Sequence, residues 1–246
     1  MRLPQRLQRQ AGQKALVDDI PFDLPVQSRN SPALMAAFPA NYERARALLP
    51  GRELHPIKFR GKAILVVAVI DYRETSIGAY IEYSIGLGCT FGPKPVPLLP
   101  AILFRGHFGL GQYVIDLPVS SEISVKGGKG IWGMPKHQAN LDFEIGDRSV
   151  RSRYDKDGRM VAEIQIDIPT QIRFPIGTSG VNWCAFRGML MKSSIYFRGR
   201  GHFGLFSKAN ATFTLGDSDR ADALRDLEIG KNALFTAFFP ETNGTP

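Results

Sequence analysis

The chain predicts a mainly β fold of the α+β class, an antiparallel β-barrel or cone with a few covering helices, on three observations. Short apolar runs rich in β-branched and aromatic residues recur along its 246 residues, with turn residues between them. Several of these runs alternate apolar with polar side chains, the period of a half-buried strand. Helical patterns are few. In chain order, strand-like runs cover Lys62 to Asp71, Ile77 to Ile85, Leu98 to Phe104, Gln112 to Leu117, Ala139 to Ile145, Met160 to Ile168, Ser194 to Phe197, Ala211 to Leu215 and Ala233 to Phe239. Asp155-Lys156-Asp157-Gly158 separates two of the runs and signals a hairpin, because Asp and Gly tolerate the unusual dihedrals of a tight turn. Asn41 to Leu49, ended by Pro50-Gly51, reads as a helix. So does Ser218 to Leu227, where Asp217, Ser218 and Asp219 supply a capping, acid-rich start. Pro93 to Pro100 is a proline-punctuated crossover.

Composition bounds the rest. With 43% apolar residues and no abrupt shift along its length, the chain reads as a basic N-terminal arm over residues 1–20 and a single domain over 21–246. The longest apolar run, Ala63 to Ile70, is far short of the roughly 20 residues that cross a bilayer. No secretion signal opens the chain, and two cysteines in so long a sequence fit reduced thiols, so a cytoplasmic protein without membrane attachment is expected. The net charge of +8 invites a nucleic-acid reading. Only the arm concentrates it, in Arg2, Arg6, Arg9 and Lys14; no zinc-finger, helix-turn-helix or RNA-binding pattern appears, and no nucleic-acid partner is expected. A basic funnel for small carboxylates accounts for the sign equally well. The arm itself reads as a solvated tail or a subunit contact, though its Arg-rich, acid-free composition also resembles a targeting peptide.

One lysine stands out. In Gly130-Ile131-Trp132-Gly133-Met134-Pro135-Lys136-His137, Lys136 follows a proline and bulky apolar residues and precedes a second side chain that can carry charge. A lysine attacks a carbonyl only as the free base, and its ordinary pKa is near 10.4, so an enzyme must disfavour the ammonium by burial or by a nearby cation. Both ingredients are adjacent here, against the bland reading of an exposed lysine on a strand-to-strand turn. Gly128 to Gly133 also matches G-x-G-x-x-G, but Met134-Pro135 blocks the helix that a dinucleotide site requires. The glycines read as a loop that lets backbone pass close to substrate. Gly-His-Phe-Gly-Leu occurs twice, at Gly106 to Leu110 and Gly201 to Leu205, and reads as two turns with glycines around an aromatic plug. Neither His107 nor His202 has a second metal ligand nearby in sequence, and no metal site is expected.

The lysine segment resembles the acetoacetate decarboxylase family, whose Schiff-base lysine follows a Gly-aromatic/apolar-Pro sequence at the end of a strand. Thr75-Ser76-Ile77-Gly78-Ala79-Tyr80-Ile81-Glu82 is similar to the segment that ends in the family's active-site glutamate, and the run from Gly204 through Pro240 is similar to its closing segment. The resemblance covers Phe22 to Pro240 and implies the same barrel or cone. It implies Lys136 as nucleophile, Glu82 as the carboxylate that orients substrate or shuttles a proton, and His137 as a source of positive charge. It further implies Arg29, Tyr80, Trp132 and Met134 around the substrate. Activation of a lysine by a neighbouring cation is a rule known from this family, so it enters with the resemblance. A 3-oxo acid substrate, no cofactor and a homo-oligomer are implied in the same way.

The departures are specific. His137 stands where the family carries a second lysine, and Lys129-Gly130 where it carries an Arg-Glu pair. A second family glutamate falls near Val67, and its N-terminal arginine near Ser31, with Arg29 the nearest candidate. Decarboxylation through a lysine imine therefore competes with aldol, retro-aldol or dehydration chemistry through the same imine, and with a non-catalytic small-acid binder.

Overall fold

The computed structural model describes residues 5–170 and 173–245. Helix α1 (Gln5–Gln10) leads into a hairpin of strands β1 (Gln13–Val17) and β2 (Ile20–Leu24), so the basic arm pairs with the segment after it. Strand β3 (Ala33–Ala40) runs into helix α2 (Tyr42–Leu48), where Asn41 caps the N-terminus by accepting from the backbone N–H groups of Glu43 and Arg44. Strands β4 (Ala63–Tyr72) and β5 (Tyr80–Phe91) follow, then helix α3 (Leu98–Leu103), strand β6 (Gly111–Val119), helix α4 (Glu122–Trp132) and the short strand β7 (Lys136–Gln138). The second half holds β8 (Ser149–Lys156), β9 (Arg159–Asp167), β10 (Arg173–Phe186), β11 (Met189–Leu205), β12 (Ala211–Leu215), helix α5 (Asp219–Arg225) and β13 (Phe235–Phe239).

Seven of these strands close into a ring in the order β6, β5, β4, β3, β13, β11, β10 and back to β6. Strands that alternate in direction cannot close a ring of odd number, so one neighbouring pair must be parallel. That pair is β10 with β6, joined only at Asn182 with Gln112 and Trp183 with Tyr113, while the other six are antiparallel. The expected barrel or cone is thus a ring-like sheet. A second sheet of β8, β9 and β12 with two short strands lies against it, and β8 and β9 form the hairpin expected around Asp155 to Gly158.

The main core fills the space between the two sheets. On β4 the odd positions Leu65, Val67 and Val69 are fully buried and meet Val150, Ile164 and Ile166 of the second sheet. Burial of each such side chain contributes about 1.5–3 kcal/mol. Val67, where the family glutamate would fall, is therefore a core residue.

Three expectations need correction. Leu98 to Phe104 is helical over Leu98–Leu103, because a short apolar run carries no periodicity that separates strand from helix, and Pro100 sits in the first turn where its missing N–H costs nothing. The second Gly-His-Phe-Gly-Leu lies inside β11 and is no turn; its glycines clear the Phe239 ring and the Lys208 carbonyl. Gly128 to Gly133, read as a loop, are the last turns of helix α4 and its cap. Ser121 caps it by accepting from the Ser124 N–H, Glu122 pairs with Lys126 one turn on, and Gly133 ends it in the left-handed conformation (φ 64°).

Candidate active site

Helix α4 carries three glycines on the side it turns to the rest of the chain. A methyl group at Gly127 would meet the Phe22 ring at 2.7 Å, one at Gly130 would meet Val17, and one at Gly128 would overlap the stem of Lys136. Interior glycines cost a helix about 0.5–1 kcal/mol each relative to alanine. Here they let the helix lie directly on Lys136. The lysine opens β7, which pairs parallel to β6 with Lys136 opposite Leu117. It is 8% exposed, buried and not the surface lysine of the bland reading.

The Lys136 amine lies 2.6 Å from Glu82 Oε2 and donates to Ser124 Oγ at 3.1 Å. Its Nζ stands 5.4 Å from the centre of the Tyr80 ring, and the Tyr80 hydroxyl hydrogen-bonds Ser124. Glu82 and Tyr80 reach this point because they sit two apart on β5. Burial is the largest influence on the amine and pushes its pKa down. The Glu82 charge, then Tyr80 and the hydrogen bond to Glu82, more than reverse that, leaving the pKa above the ordinary lysine value. Burial pushes the Tyr80 phenol up to about 12, so it stays protonated.

These groups line a small cavity of about 40 Å³. Its walls are otherwise apolar, from Phe22, Val26, Ile77, Leu117, Trp132, Met134 and Ile195, with Asn182 and Ser193 as further polar groups. At ~10–15 Å³ per water it holds roughly three.

Lys136, Glu82, Tyr80, Trp132 and Met134 are thus brought together as expected from the motif, and two residues are not. His137 follows Lys136 on β7 and so points to the opposite face. Its Nε2 lies 2.8 Å from Asp116 Oδ1, and Asp116 also accepts from the Tyr154 hydroxyl at 3.1 Å and from Arg220 at 3.4 Å. The expected cation beside Lys136 is therefore spent on Asp116. Arg29 lines a separate surface cleft of about 630 Å³ with Arg73 and Glu74. Ser31, at the family's arginine position, is fully buried and donates to the Arg29 carbonyl. Sequence reasoning missed Ser124, Asn182 and Ser193. The Ser-Ser-Glu start of α4 was a capping signal that could have placed Ser124; no local pattern marks the other two.

Among the described residues, no helix is long and apolar enough to cross a membrane. Residues 6–173 match the family model described as Acetoacetate decarboxylase (ADC). No curated protein matches the chain. Among solved structures, acetoacetate decarboxylase from Legionella pneumophila subsp. pneumophila str. Philadelphia 1 is similar with a TM-score of 0.61 at 12% identity, over 90% of this chain and 85% of that one. The enduracididine biosynthesis enzyme MppR, complexed with the condensation product of pyruvate and imidazole 4-carboxaldehyde, has a TM-score of 0.57 at 14% identity, over 89% and 85%. An acetoacetate decarboxylase-like enzyme from Sphingomonas wittichii RW1 has a TM-score of 0.53 at 15% identity, over 95% and 94%.

Proposed function

The chain belongs to the acetoacetate decarboxylase family, and from that premise we propose that it is a lyase acting on a 3-oxo acid or related ketone through an imine on Lys136. The observation that carries the proposal is the buried Lys136–Glu82 pair inside a mostly apolar cavity. The pair supplies both the nucleophile and the group that frees it.

The raised pKa decides how. Releasing the ammonium proton to solvent near neutral pH runs against the raised pKa that the Glu82 charge imposes. Passing it 2.6 Å to Glu82 instead leaves two neutral groups. A desolvated pocket favours neutral partners over separated charges. The free amine then adds to the substrate carbonyl, and protonated Glu82 returns its proton to the departing hydroxyl, which leaves as water. In the resulting iminium, the electron pair of the carbon–carboxylate bond flows towards the positive nitrogen, releasing carbon dioxide and an enamine. Protonation of the enamine carbon and hydrolysis return Lys136.

Aldol or dehydration chemistry through the same imine is the second reading. It is favoured by the likeness to an enzyme solved with a condensation product of pyruvate, and by His137 in place of a second lysine. Borohydride reduction during incubation with acetoacetate, pyruvate and longer 3-oxo acids tests the common step. The expected result is an adduct on Lys136 alone, with carbon dioxide release distinguishing the two reactions. Absence of an adduct with every carbonyl compound would replace the enzyme by a small-acid binding protein.

A further inference from the structure

The seam where the ring closes carries a row of polar side chains that the lysine chemistry leaves unused. Gln112 of β6, Asn182 of β10 and Ser193 of β11 are direct neighbours across three adjacent strands. Gln112 Nε2 donates to Asn182 Oδ1 at 3.0 Å and to Ser84 Oγ at 3.1 Å. Its own Oε1 is buried without a partner, 3.0 Å from where a side chain at residue 86 would begin, a place open because that residue is Gly86. The amide is thus held in one orientation by its two donor bonds.

That orientation dictates what Asn182 offers. Its oxygen is occupied, so its Nδ2 hydrogens are what remain, and they have no hydrogen-bond partner among the described residues. The Ser193 hydroxyl beside it has none either. Both side chains line the Lys136 cavity, Asn182 while only 9% exposed. Donors at such a place face the cavity and can be given to whatever occupies it. Among the described residues Lys136 is the only cation lining the cavity, and it is spoken for by the reacting carbonyl.

We infer that Asn182, oriented by Gln112 and seconded by Ser193, is the specificity residue of this cavity and donates to a second oxygen of the substrate, a carboxylate or carbonyl. The inference rests on the imine reading. It makes the favoured substrate class a dioxygenated one, an oxo acid or dicarbonyl, with simple ketones admitted only by the lysine. Neutral donors hold a carboxylate without neutralising it, which leaves its departure as carbon dioxide unopposed.

Borohydride trapping with acetoacetate and, separately, with acetone tests this on the wild-type protein and on Asn182→Leu, Asn182→Asp and Ser193→Ala. Asn182→Leu is expected to weaken the concentration dependence of acetoacetate trapping roughly 10- to 100-fold and to leave acetone trapping within about twofold. Asn182→Asp replaces the donor by an anion and should weaken acetoacetate further. Ser193→Ala should show the same selectivity at smaller size, and it keeps the test open if a substitution at the seam lowers Tm. Equal losses for both ketones in the folded variants, or an Asn182→Asp protein that traps acetoacetate as well as wild type, would overturn the inference and leave the imine standing. No adduct on wild-type Lys136 with either compound would overturn the imine reading and the inference with it.

Discussion

Lys136 and His137 are neighbours in sequence, and each pairs with a carboxylate at hydrogen-bond distance, 2.6 Å to Glu82 and 2.8 Å to Asp116. They sit on opposite faces of β7. One pair closes a cavity whose other walls are mostly apolar and has Ser124 as its remaining partner. The other belongs to a fully bonded cluster in which Tyr154, Arg220 and the Leu117 N–H also serve Asp116. The difference teaches that two basic side chains adjacent in sequence need not act on each other. Strand parity separates them, and the carboxylate that each face presents decides what its cation can do. A positive neighbour would lower the lysine pKa, whereas Glu82 raises it and makes proton transfer within the pair the route to a free amine.

The largest break in this comparison is Lys136→Ala. It should abolish both ketone trapping and turnover, measured by adduct mapping and product formation. Turnover in that variant at the wild-type rate would end the imine mechanism.

Glu82→Gln comes next. It leaves the buried ammonium uncompensated and should cost about 3–5 kcal/mol of stability in denaturant unfolding. With the Glu82 charge gone, burial outweighs the smaller Tyr80 contribution, so the Lys136 pKa should move from above the ordinary value to below it, read by amine labelling against pH. The linkage has a definite sign. A folded-state pKa raised above the unfolded value of about 10.4 means that the stabilisation is full below pH 10.4 and is lost as pH rises through the folded pKa. The Tm gap between wild type and Lys136→Met should therefore hold steady from neutral pH to about pH 10 and narrow beyond it.

Gly128→Ala adds a methyl group against the lysine stem. Overpacking of this kind costs about 1–3 kcal/mol, and trapping should fall because the amine is displaced. His137→Gln should matter least. Asp116 keeps its other partners, so the loss should be about 0.5–1.5 kcal/mol with trapping and the Lys136 pKa unchanged. A large pKa change in that variant would restore His137 as the activating cation.

Where structure follows from neighbours in sequence, it was legible. The helices begun at Asn41 and Ser218, the Asp155 to Gly158 hairpin and the strand over Lys62 to Asp71 all lie where the residues indicated. Helix α4 was not, because Gly127, Gly128 and Gly130 lower helix propensity for reasons that lie with Phe22, Lys136 and Val17 elsewhere in the chain. Strand β3, with its alanines and Pro39, and strand β10, with Gly177 and Gly180, carry too few β-branched residues to announce themselves. In the site, residues of the Trp132-Gly133-Met134-Pro135-Lys136 and Tyr80-Ile81-Glu82 segments came together. Arg29 did not reach the cavity, and the polar seam depends on a contact between strands that no local window contains.

That seam also orders the events by which the chain acquires its shape. Six contacts of the ring join strands in antiparallel register, and one of them, β10 with β11, turns over Arg187 and Gly188 alone, so it forms early because little chain entropy is lost in making it. The parallel contact ties Gln112 to Asn182, 70 residues away, through two residue pairs. So small an enthalpic return for so long a loop is collected only once the longer ladders on both sides, β10 with β11 and β5 with β6, are in place. A chain still emerging from the ribosome has its lysine and its glutamate long before it has a compartment to hold them.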